Sequence, residues 1–95
     1  MKHLKLFIKT SCNLPIEVEA ISIKKIKGIT FFLYKNSSGF YTVSEYSTGR
    51  ALAKDFSTPL GAWNAARWKV ESWNRYLSLE ETIKKRIKME GAVNK

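Results

Sequence analysis

Three features of this sequence predict an α+β fold: an antiparallel sheet of four to five strands in a meander, packed by a long C-terminal helix, with a second shorter helix. Apolar residues alternate with period two through much of the first 57 positions, the pattern of half-buried strands. Turn-forming clusters, Lys27-Gly28, Asn36-Ser37-Ser38-Gly39 and Ser47-Thr48-Gly49, interrupt that alternation at hairpin spacing. From Thr58 onward the apolar spacing changes to three and four, the helical period. The 95 residues read as one domain, with 1–57 mainly β, 58–90 α-helical and 91–95 a tail.

In residues 2–9, Leu4, Leu6 and Ile8 fall on one side of a strand, with Lys5, Phe7 and Lys9 on the other. Thr10 to Pro15 reads as a loop. Residues 16–26 form a second strand whose phase slips. Ile16, Val18 and Ala20 alternate with Glu17 and Glu19, and then Ile21 and Ile23 alternate with Ser22 and Lys24. A one-residue slip turns the apolar set to the other face, so a bulge or bend is expected near Ala20–Ile21. A short helix is the competing reading, and the β-branched content weighs against it. Residues 29–35 and 40–46 make a hairpin, and 50–56 return as a further strand. Of Phe31 and Phe32, whichever points inward is core.

Thr58 supplies a helix cap and Pro59 suits the first helical position. Trp63, Ala66, Val70, Trp73 and Leu77 then form one apolar stripe. Trp68 falls off that stripe at 100° per residue. Ser78-Leu79-Glu80-Glu81 has the form of a capping box, which marks either a new helix or a kink in a continued one, and Gly91 ends it.

Seventeen basic residues against eight acidic ones leave a net charge of +9, which favours polyanionic partners. Lys24, Lys25 and Lys27 cluster at one turn, and Lys35, Tyr46, Arg50 and Lys54 interleave charge with aromatic residues on the central strands. Together these seven are the candidate nucleic-acid contacts, since ammonium and guanidinium groups neutralise phosphates while aromatic faces stack on bases. Trp68, flanked by Arg67, Lys69 and Arg75, is the candidate partner contact, because exposed Trp is costly and enriched at binding hot spots.

No catalytic site is expected. The carboxylates are scattered, and no glycine-rich phosphate loop occurs. One cysteine, Cys12, and one histidine, His3, exclude an ordinary zinc site and an internal disulfide. No cofactor is expected, and the single thiol fits a reducing cytoplasmic setting. Lysines at 2, 5 and 9 interrupt any signal-peptide core, and no run approaches membrane-spanning length.

Gly39 to Ala66, GFYTVSEY through TGR to FSTPLGAWNAA, resembles the strand–strand–helix end of three-stranded DNA-binding domains. These are the arm-site-binding domains of phage integrases and the plant ethylene-response type. Phe56, Thr58, Ala62, Ala65 and Ala66 carry the likeness, which covers about a third of the chain. The resemblance implies that an exposed sheet face enters the major groove, with Tyr46, Arg50 and Lys54 as the positional counterparts. The sequence departs from it at Glu45, where no Arg or Lys lies between Phe40 and Tyr46. In size and make-up the chain is also similar to small accessory proteins of phages and mobile elements, anti-CRISPR and anti-restriction proteins among them. That likeness implies a host nuclease or its guide RNA as target. The expected function is a non-enzymatic basic protein acting on nucleic acid or a nucleoprotein; the alternative is a phage-encoded inhibitor of a host nuclease.

Overall fold

The computed structural model describes residues 4–9, 14–73 and 79–94. It contains five strands and two helices: β1 (Leu4–Lys9), β2 (Pro15–Ile26), β3 (Ile29–Lys35), β4 (Tyr41–Glu45), β5 (Ala51–Phe56), α1 (Pro59–Trp73) and α2 (Leu79–Glu90). The strands form one antiparallel sheet in sequence order, β1-β2-β3-β4-β5. The fold is therefore α+β, with the longer helix packed on the sheet. Pro15 belongs to β2 and not to the preceding loop.

Local chemistry sets the turns. Lys27 (φ 50°) and Gly28 (φ 80°) both take left-handed backbone, as a two-residue hairpin turn that matches strand twist demands. Asn36 organises the next hairpin: its Oδ1 accepts from the amides of Ser38 and Phe40, both at 3.0 Å. Thr58 caps α1, its Oγ1 accepting from the Gly61 amide at 3.0 Å.

The expected slip in β2 is present as a register shift between Ala20 and Ser22. It decides the architecture. Val18 and Ala20, before the shift, pack with Leu6, Ile8, Phe32 and Tyr34. Ile21 and Ile26, after it, pack on the other face with Phe31, Leu33, Val43, Ala53 and the α1 residues Ala62, Trp63, Ala66 and Val70. A bulge bends a strand and increases its twist, which lets one strand serve two packing layers. The β1–β2 ribbon thus turns back over the sheet face opposite α1, and the Lys9 amide reaches the Gly49 carbonyl at 2.9 Å.

In consequence both faces of β3 are covered. Phe31 and Phe32 are each fully buried, where only one was expected to be core. Burial pushes the pKa of the Tyr34 hydroxyl up, partly offset by the Thr42 and Ser44 hydroxyls beside it.

Residues 92–94, within the expected tail, are tied to the sheet. Asn94 is buried; its Oδ1 accepts from the Phe7 amide at 2.8 Å, and its Nδ2 donates to the carbonyls of Phe7 and Tyr46, each at 2.8 Å. A side-chain amide here does what a neighbouring strand would do for β1. The α1 stripe holds at Trp63, Ala66 and Val70, but Trp73 is 43% exposed. It lies at the helical position expected of it, and it lines a cavity. Leu77 and Ser78, and with them the predicted capping box, lie outside the described residues.

Candidate functional site: a basic and aromatic groove along strand β5

β5 closes one edge of the sheet, and α1 and α2 approach it. Between them lies a cavity of about 420 Å³, which shares Ala51, Leu52 and Trp73 with a shallower depression of about 510 Å³ beside Trp68, Lys69 and Ser72. The two make one groove. Its apolar lining is Leu52, Trp73, Leu79 and Ile83, and its cationic lining is Lys9, Arg50, Lys54, Lys69 and Arg86.

Trp68 is 66% exposed, as its place off the buried stripe requires. Lys69 donates to the Leu52 carbonyl at 2.8 Å, tying α1 to the outer edge of β5. At the opposite end of the groove Glu90, in the last turn of α2, gathers three cations. Arg50 Nη2 donates to its two oxygens at 3.0 and 2.9 Å, Arg86 donates at 3.2 Å, and the Lys9 ammonium lies 3.5 Å away. The Arg50 hydrogen bond, joined by those of Arg86 and the charge of Lys9 and opposed by desolvation, holds the Glu90 carboxyl below the usual carboxylate range.

Glu45 is the one carboxylate in the lining among the described residues. It is buried, and its oxygens accept from the amides of Ser47 (2.6 Å) and Thr48 (2.9 Å). The residue that departs from the DNA-binding pattern is thus a brace for the β4–β5 turn.

The predicted site residues are distributed as follows. Lys54, Arg50 and Lys69 line the groove, Trp68 stands on its rim, and Arg67 is exposed next to Trp68 on α1. Lys24 lies 5.1 Å from the centre of the Trp63 ring, and Lys25 and Lys27 are exposed at the β2–β3 turn. Lys35 is exposed at the far end of β3, 5.7 Å from the centre of the Tyr41 ring. Six residue rises separate that end from the β2–β3 turn, about 20 Å, so these lysines do not form one cluster. Tyr46 is half-buried against the second core. Arg75 lies outside the described residues.

Sequence reasoning missed Lys9, Arg86, Glu90 and Trp73 as parts of one site. The i, i+4 spacing of Arg86 and Glu90 was a legible signal. Lys84, Lys85 and Lys88, which the sequence already places on one side of the second helix, are exposed on α2.

Among the described residues no cluster of His, Cys, Asp and Glu is placed to hold a metal ion, and no helix is long and apolar enough to cross a membrane. Compared with protein families, curated proteins and solved structures, the chain matches none of them.

Proposed function

We propose that the protein is a non-enzymatic basic module that binds nucleic acid, alone or within a nucleoprotein, through the β5 groove. The observation that carries this reading is the pairing of exposed Trp68 and Trp73 with Lys54, Lys69 and Arg86 along this groove. Cations that track a phosphate backbone, alternating with aromatic faces for bases, are the means by which single strands are held without sequence readout. Arg67, beside Trp68, adds charge at the rim.

The test is fluorescence anisotropy of labelled DNA and RNA oligonucleotides titrated with the protein. With about three to four phosphates neutralised, at about −0.7 in log–log slope each, affinity falls roughly twenty- to fiftyfold between about 50 and about 200 mM salt. Trp68→Ala weakens binding by about 1–3 kcal/mol while shifting stability by no more than about 0.5 kcal/mol, as expected of so exposed a side chain. No anisotropy change at low salt with either nucleic acid overturns the reading.

A second reading is a protein–protein inhibitor of a host nuclease, phage-encoded in the version the sequence favours. It is supported by Trp68 and Leu52 meeting at the same depression, an aromatic anchor beside an apolar notch. Binding that survives high salt and is lost in Trp68→Ala favours this reading over the first.

A further inference from the structure

We propose that the cavity at the α2 end of the groove seats a single unpaired nucleotide. Its base lies against Trp73, Leu52 and Ile83, and its phosphate exchanges for the Glu90 carboxylate among Lys9, Arg50 and Arg86. This rests on the reading of the groove as a nucleic-acid site.

Three observations lead there. The cavity, at about 420 Å³, is within the range of about 300–1,000 Å³ typical of small-ligand pockets. Its walls are divided by chemistry, with an aromatic and aliphatic side at Leu52, Trp73 and Ile83 and a cationic side at Lys9, Arg50 and Arg86. Finally, the cations of that side already hold an oxyanion, Glu90, which adjoins the cavity lining without being part of it. All three cations converge on Glu90 within 3.5 Å, and Arg50 spans both of its oxygens.

A phosphate, with more oxygens and up to two charges, accepts from more donors of such a set than a single carboxylate does. Glu90 is then a resident stand-in for the ligand's phosphate. It keeps the cradle assembled when the groove is empty. Glu45, the other carboxylate nearby, is held by the Ser47 and Thr48 amides and keeps its charge in the lining.

The occupant is an unstacked nucleotide because the flat wall offered by Trp73 serves a base freed from its neighbours, and a duplex exposes such a base only by flipping it. A single strand reaches the cavity by way of Trp68 and the shared Leu52–Trp73 stretch.

The test compares labelled single strands of about 12 nucleotides with matched duplexes, and uses AMP and inorganic phosphate as competitors. Wild-type protein is expected to prefer the single strand about tenfold or more, with AMP competing better than phosphate. Glu90→Gln removes the resident negative charge that competes with the phosphate and tightens single-strand binding roughly three- to tenfold. Glu71→Gln, an equal change of charge at an exposed α1 position outside the groove lining, changes it less than about twofold because its effect is screened. Ile83→Trp, checked for folding by its thermal transition, fills the cavity and removes the single-strand preference. Equal binding of single strand and duplex, with no greater gain in Glu90→Gln than in Glu71→Gln, overturns the nucleotide seat and leaves the groove reading standing. Binding of neither nucleic acid overturns both.

Discussion

Gly49 and Gly28 share a positive φ, +69° and +80°, but stand in different surroundings. A Cβ at Gly28 meets nothing within 4 Å, whereas one at Gly49 lies 2.8 Å from Val93 Cγ2, 2.9 Å from the Lys9 nitrogen and 3.0 Å from Ile8 Cα. Gly28→Ala costs only the left-handed backbone, about 1–2 kcal/mol. Gly49→Ala adds a collision with the β1 backbone, which cannot move without releasing its bond to Gly49, and its cost exceeds that of Gly28→Ala by at least about 1 kcal/mol. Urea unfolding of the two variants measures the difference. Nothing around Gly49 in the sequence distinguishes it from the other turn glycines. Its constraint comes from strand β1, some 40 positions earlier, so this role was not legible.

At the scale of elements, β1 is held by what crosses it. Asn94 satisfies both the amide and the carbonyl of Phe7 and also reaches the Tyr46 carbonyl. Asn94→Ala leaves these groups unmet and costs about 1–3 kcal/mol; hydrogen exchange at the Phe7 amide reports it as lost protection, with β3 and β4 amides much less affected. The Glu90 clasp ties the end of α2 to β1 and to the β4–β5 turn. Because its carboxyl pKa is lowered on folding, Glu90 binds fewer protons in the native state than in the unfolded one. The stabilisation is therefore present above its unfolded value near 4.5 and is lost as the pH falls through the depressed folded value. The stability advantage of wild type over Glu90→Gln should be constant near neutral pH and vanish on acidification, as followed by denaturation midpoints across pH. All five strands and both helices were legible because their signals are local: alternation, turn glycines, and a cap at Thr58. The β2 slip was legible for the same reason, since Ala20 and Ile21 are neighbours. Trp73 is more exposed than expected because periodicity gives the direction of a side chain and not how completely it is covered.

For the whole molecule, the question is which of the 17 basic residues act together. The hairpin lysines belong to the β2 side of the sheet and the groove to the β5 side, three strand spacings or about 14 Å apart. Replacing Lys24, Lys25 and Lys27 together by Ser should slow association through the reduced net charge while leaving the dissociation rate near wild type. Replacing Lys54 and Lys69 should raise the dissociation rate. Stopped-flow kinetics with one labelled oligonucleotide separates the two effects. The candidate site was thus legible in its parts, with Trp68, Lys69, Arg50 and Lys54 singled out by charge and by departure from helical phase. Its assembly was not, because Lys9, Leu52, Trp73 and Arg86 meet only after the sheet and helices have packed.

The Asn94 bridge has a consequence for the order in which the protein can be made. A ribosome releases β1 early, and 87 further residues separate Phe7 from the amide that covers its edge. During that interval β1 carries an uncovered hydrogen-bonding edge with Phe7 on it, the kind of template that recruits other chains. Nascent chains stalled before position 94 should therefore be more prone to co-translational aggregation than released ones, a vulnerability that belongs to synthesis and leaves no trace in the finished fold.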